Sequence, residues 1–127
     1  PLRSDYLMSD DEVREIYWTE YWLPHCPSLR PGVDLSYFDN CVNEGPLRAT
    51  VLLQRALALH GDGQWGPLTQ AAVDSQDPIT TIIRYSQARE EFYRSLWTFR
   101  YFGEGWLSRV RYIRTASLAM AKKGPTA

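Results

Sequence analysis

Punctuation constrains this chain more than any other feature. Prolines, glycines and small polar residues cut it into short segments, and within each segment the apolar residues recur three and four apart. No stretch alternates apolar and polar residues as a half-buried strand does, so the expected fold is all-α. Ser9-Asp10-Asp11-Glu12 is a capping box opening a helix with Val13, Ile16, Tyr17 and Tyr21 on one side, which stops before Pro24. After a proline-rich loop over 24–33, a second helix from about Asp34 buries Leu35, Phe38, Cys41 and Val42 and breaks at Gly45. Pro46 starts a third, with Leu47, Val51, Leu52 and Leu57 as its apolar residues. Gly61-Asp62-Gly63 is a turn and Pro67 opens a short fourth helix. Asp77-Pro78 caps and starts a fifth with Ile79, Ile82, Ile83, Phe92 and Leu96. Gly103 and Gly105 interrupt it before a last helix carrying Trp106, Val110, Ile113 and Met120, which ends near Gly124.

A chain of 127 residues, 44% apolar and 23% charged, buries a core as one domain over 1–127 and is not disordered. No apolar run reaches the roughly 20 residues of a membrane span, and no signal-peptide pattern opens the chain, which begins at Pro1 as a processed or truncated product would. Cys26 and Cys41 are too few for a disulfide framework, and with His25 and His60 they lack metal-site spacing, so no metal or cofactor is expected. Residues 1–83 hold 5 Lys and Arg against 12 Asp and Glu; residues 84–127 hold 9 against 3. The basic half steers toward anionic polymers or pairs with the acidic half across helices. A net charge of −1 and no basic-aromatic motif argue against nucleic acid.

One stretch is not explained by helix packing: Phe38-Asp39-Asn40-Cys41-Val42-Asn43-Glu44-Gly45-Pro46, then Leu53-Gln54, then Asp62-Gly63-Gln64-Trp65-Gly66 and Thr69. Around it stand Ile16-Tyr17 with Tyr21-Trp22, Pro31-Gly32-Val33, Ala88-Arg89 with Phe92-Tyr93, and Phe102-Gly103 leading to Gly105-Trp106-Leu107 and Arg109-Val110. In this order the pieces resemble the C-terminal half of glycoside hydrolase family 108, lysozyme-like enzymes that cut the glycan of bacterial peptidoglycan. Leu53-Gln54 and the Asp-Gly turn are also similar to small three-helix peptidoglycan-binding modules. The family's N-terminal Glu-Gly-Gly-Tyr, whose glutamate is its general acid, and the Gly-Gly-x-Thr hairpin after it have no counterpart in these residues.

The resemblance implies a lysozyme-like helical domain without the N-terminal catalytic helix and β-hairpin, with a peptidoglycan-binding region at about 34–110. It implies muramidase chemistry of the endolysin or secretion-activator kind when complete, made in the cytoplasm of bacteria or phage-infected bacteria and acting at the cell wall or periplasm. A stand-alone wall-binding module and a structural assembly component are the alternatives. Asp39, Asn40 and Asn43 stand on the helix that in such enzymes lines the glycan cleft, and an amide both donates and accepts toward sugar acetamido and hydroxyl groups. Asn43 serves equally as a helix cap. Glu44, at a helix end beside a glycine, is the candidate acid, against the expectation that a helix-end glutamate is solvated; by default the chain has no catalytic residue of its own. Trp65 stacks on a sugar from its rigid turn or plugs the core edge, the plug being favoured. Arg109, and more weakly Arg89, would meet acidic groups of the absent catalytic helix or another partner. Trp18, Trp22, Trp97 and Trp106 are expected in the core. Without the catalytic helix, an apolar groove between Phe38 and Val42 on one side and Trp106 and Val110 on the other would be covered by a second copy, another chain, or Tyr6 and Leu7 folding back.

Overall fold

The computed structural model describes residues 8–124, and every regular element among them is helical. Helix α1 (Asp10–Ile16) starts where the capping box predicts: the Ser9 hydroxyl accepts the Glu12 N–H at 3.2 Å and also bonds the Glu12 carboxylate. It widens into a π-helical turn over Tyr17–Trp22 that ends ahead of Pro24. A short 3₁₀ turn over Cys26–Ser28 leads into α2 (Val33–Glu44), and α3 (Pro46–Ala56) follows directly after Gly45. Then come α4 (Pro67–Ser75), α5 (Pro78–Ser95) and α6 (Phe99–Lys123).

Helix α2 is the centre of the domain, packed against α3, α5 and α6. Its start lies so close to α6 that a Cβ on Gly32, which sits at φ +95°, would meet the Ser117 carbonyl at 2.3 Å. Beside it the Ser36 and Ser117 hydroxyls bond at 2.7 Å. The core holds Cys26, Tyr37, Cys41, Leu52, Leu53, Leu57, Ile82 and Tyr85, and Val110 and Ile113 are also buried. Both cysteines are free thiols.

Several expectations are corrected. Helix α2 does not bury Leu35, Phe38 and Val42; it buries Ser36, Tyr37, Asp39, Asn40 and Cys41, because a central helix is enclosed on sides that apolar spacing does not mark. Gly103 and Gly105 do not break a helix. The break lies at Leu96–Thr98, and α6 runs through both glycines, with Phe99 filling the space beside Gly103. Leu47, expected inward, is 68% exposed. Of the four tryptophans expected in the core, Trp18 and Trp97 are exposed, and Trp22 and Trp106 are half-buried. The expected groove is not formed by α6: Val110 is fully buried, and Trp106 packs on Tyr93 with ring centroids 5.0 Å apart. An apolar hollow of about 350 Å³ lies instead between the N-terminal helix and α2, lined by Arg14, Tyr17, Trp18, Trp22 and Phe38. Tyr6 and Leu7 lie outside the described residues.

Candidate functional site

Asp39, on the second turn of α2, is 3% exposed and carries two cations. Arg109 of α6 reaches its Oδ1 with Nε at 3.0 Å and Nη2 at 2.5 Å. Arg89 of α5 brings Nη2 to 3.0 Å from Oδ2, an ion pair without the alignment of a hydrogen bond. Arg89 is itself only 2% exposed. Burial works to lower its pKa, but facing Tyr85, Tyr93 and Asp39 outweighs burial, and the guanidinium stays charged. One carboxylate thus ties three helices together through two guanidinium partners.

Asn40, one residue on and fully buried, donates from Nδ2 to the Tyr85 hydroxyl at 2.8 Å, and that hydroxyl donates to the Ala49 carbonyl at 2.9 Å. Burial holds the Tyr85 hydroxyl well above its ordinary pKa. The Tyr93 hydroxyl, which faces the Glu44 carboxylate and the Arg89 guanidinium, is pushed up to about 12 by burial and by that carboxylate. Glu44 is therefore half-buried and engaged with a tyrosine. Asn43 is exposed; its Nδ2 donates to the Asp39 carbonyl at 2.7 Å, a bond back along its own helix that leaves the amide oxygen free for solvent or ligand. The Arg109 side chain is 55% exposed, so its outer edge also reaches solvent. Asp39, Asn40, Asn43, Glu44 and Arg109 therefore form one constellation, half interior and half surface.

Trp65 does not join it. It packs on Tyr37, which lies 200° around α2 from Asp39 at 100° per residue, with ring centroids 5.4 Å apart. His25 stacks on the indole at 4.2 Å, and the indole N–H donates to Gln70 Oε1 at 3.0 Å. Trp65, His25 and Tyr37 line a cavity of about 260 Å³. Burial holds His25 below its ordinary pKa, which favours neutral imidazole against the indole face.

The Leu-Gln and Asp-Gly pieces meet in one hydrogen-bonded staple. Gln54, 2% exposed, shares the two Nε2 hydrogens among Asp62 Oδ1 at 3.0 Å, the Gln64 carbonyl at 2.8 Å and Thr69 Oγ1 at 3.1 Å. Its Oε1 accepts the Gly63 N–H at 2.9 Å, while Asp62 Oδ1 accepts that of Gln64 at 2.9 Å. Gly63 has φ +79°, and a Cβ there would meet the Leu47 side chain at 2.4 Å. Sequence reasoning placed a turn at Gly61-Asp62-Gly63 but missed Gln54 as its hub and Tyr93 as the residue facing both Glu44 and Arg89. Both stand in motif pairs, Leu53-Gln54 and Phe92-Tyr93. Among the described residues, no group of three or more His, Cys, Asp or Glu side chains could hold a metal ion.

The geometry defines the class as an all-α domain built around a buried, arginine-clamped aspartate in its central helix, with an amide-braced Asp-Gly turn. The sequence pattern of the family described as glycosyl hydrolase 108 matches residues 5–45, and that of the predicted peptidoglycan domain matches residues 48–111. The structure of SagA from Brucella abortus superimposes with a TM-score of 0.89 at 31% identity, over 94% of this chain and 71% of that one. No curated protein matches the chain. The chain belongs to the glycosyl hydrolase 108 family and carries its predicted peptidoglycan domain.

Proposed function

We propose that this chain binds peptidoglycan and supplies the glycan-cleft wall of an N-acetylmuramidase of the endolysin or secretion-activator type, acting at the bacterial cell wall. The observation that carries the reading is the outer edge of the Asp39 constellation. Asn43 and Arg109 present an amide oxygen and a guanidinium edge to solvent from side chains anchored on Asp39, one to its backbone carbonyl and the other to its carboxylate, which suits recognition of sugar hydroxyl and acetamido groups. Cleavage of a glycosidic bond takes a protonated carboxyl beside a second carboxylate. Asp39 is committed to two arginines and Glu44 faces Tyr93, so these residues are expected to hold the glycan while the acid comes from outside them. Asp39 and Asn40 then position the cleft, Asn43 and Arg109 touch the sugar, and Trp65 lies apart in its own stacked cluster.

The test is co-sedimentation with purified peptidoglycan. Asn43→Ala is expected to weaken binding severalfold while the melting temperature stays within about 2 °C, since the lost bond is a single exposed one on its own helix. Unchanged binding by Asn43→Ala and by Arg109→Gln would remove the cleft from this face. Clearance of a peptidoglycan suspension by this chain alone, abolished in Glu44→Gln, would make Glu44 the acid and overturn the assignment of a purely binding role.

A further inference from the structure

Helices α3 and α5 leave an open groove of about 370 Å³ between them, within the matched peptidoglycan domain and apart from the Asp39 constellation. Leu52 and Phe92 lie along its floor, and Arg55, Arg84, Gln87 and Glu91 stand on its rim. The two arginines are unusual in this chain. Arg14, Arg89, Arg109 and Arg111 are ion-paired, Arg30 bonds the Asp74 and Gln76 carbonyls, and Arg48, Arg94 and Arg100 lie over aromatic rings. Among the described residues, Arg55, Arg84 and Arg114 are the arginines with no hydrogen bond, ion pair or ring contact, and two of the three face this groove.

The groove also has a polarity. Arg48, near the start of α3, lies over the Phe92 ring near the end of α5 at 4.7 Å, while the Tyr85 hydroxyl, two turns earlier on α5, reaches the Ala49 carbonyl, so the start of α3 crosses the later half of α5. Arg55 lies seven residues beyond Arg48, and Arg84 eight before Phe92, which brings both cations to one end, about 10–12 Å from Phe92. Glu91, next to Phe92, has no ion-pair partner among the described residues and stands at the other end, where Arg48 is engaged over the Phe92 ring. A ligand that fits has carboxylates at one end, an ammonium about 10 Å away and aliphatic carbon between.

We propose that this groove binds the peptide part of peptidoglycan, an acidic stem peptide. Arg55 and Arg84 take its carboxylates, Glu91 takes the side-chain ammonium of its diamino acid, and Leu52 and Phe92 carry the intervening aliphatic chain. The proposal rests on the peptidoglycan-binding reading above but assigns peptide and glycan to different surfaces. Titration calorimetry of the full chain would use three probes: a soluble disaccharide-tetrapeptide, the free tetrapeptide, and the disaccharide with its peptide removed. Arg55→Gln with Arg84→Gln is expected to weaken tetrapeptide binding at least tenfold, leaving disaccharide binding and the melting temperature unchanged, because neither side chain has a partner to lose among the described residues. Asn43→Ala should do the converse. Tetrapeptide that fails to bind the native chain, or binds the double variant equally, overturns the proposal while disaccharide binding leaves the cleft reading standing. Failure of all three probes sinks both. Binding to phosphatidylglycerol vesicles that the double variant loses, without peptide binding, would reassign the groove to a lipid surface.

Discussion

Asp39→Ala should be among the most destabilising single substitutions in this chain, for a reason distinct from the contacts it deletes. The change removes a carboxylate but leaves the Arg89 guanidinium, 2% exposed, with no counter-ion. Breaking a buried pair from one side costs about 3–5 kcal/mol, most of it the uncompensated charge. In a domain of this size that lowers the melting temperature by on the order of 10–20 °C. Arg109→Gln attacks the same carboxylate from its half-exposed side, leaves the Arg89 pair intact, and should cost no more than about 1 kcal/mol. Urea unfolding followed by far-ultraviolet circular dichroism measures both. The companion variant carries Asp39→Leu with Arg89→Met. With neither charge left buried it should recover most of the loss, giving a coupling energy above about 2 kcal/mol in the double-mutant cycle. If Asp39→Ala and Arg109→Gln cost the same small amount, or the double variant is no more stable than the sum of its parts, Asp39 is not the strut on which α2, α5 and α6 are mounted.

The same structure makes further predictions. Gln54→Ala removes four hydrogen bonds at a buried amide and should cost about 1–3 kcal/mol, with the Gly63 and Gln64 amides losing protection in hydrogen exchange before any others. The hydrogen bonds that Asp62 accepts from Gln64 and Gln54 hold its carboxyl below the usual range. A depressed carboxylate stabilises the turn above its unfolded pKa, so protection of the Gln64 amide should be flat above about pH 4 and fall as acid passes through the lowered value, while Asp62→Asn removes the pH dependence. Both thiols are 1% exposed; burial pushes Cys26 up to about 12 and Cys41 up to about 11. An aromatic disulfide reagent at pH 8 should therefore label neither in the native chain and both in denaturant, and rapid native labelling would mean that the core around α2 opens.

How much was legible in the sequence follows from how local each signal is. Ser9, Pro46, Pro67 and Asp77 placed helix starts correctly, because a cap or a first-turn proline acts on the turn it begins. Burial was legible only where apolar spacing coincided with enclosure, as at Cys41, Leu52 and Ile82. Ser36 finds Ser117 81 residues away and Asn40 finds Tyr85 45 away, so their burial is satisfied by partners that no window on α2 contains. The tryptophans failed for the opposite reason. A large apolar side chain predicts burial on average, but Trp97 lies in the gap between α5 and α6, where no other helix covers it, and it is 78% exposed.

The family signature residues divide by what they touch. Asp39, Asn40, Gln54, Thr69 and Arg89 are buried and each pairs or bonds with another part of the fold, which ties these signature residues to the scaffold, while Asn40 Oδ1 and Arg89 Nε lack a hydrogen-bond partner. A buried polar network of this kind fixes one packing of α2 against α3, α5 and α6 and thereby the direction in which exposed neighbours point. On the readings proposed above, the groups left for a ligand are the Asn43 amide oxygen, the outer edge of Arg109, and Arg55 and Arg84, which have no partner among the described residues. These groups come from both matched segments, Asn43 from the glycosyl hydrolase 108 part and Arg55, Arg84 and Arg109 from the predicted peptidoglycan domain, and Asp39 joins the two segments by its ion pairs. Loss of that one carboxylate should therefore disturb glycan and peptide recognition together, whereas loss of any surface group should disturb one alone.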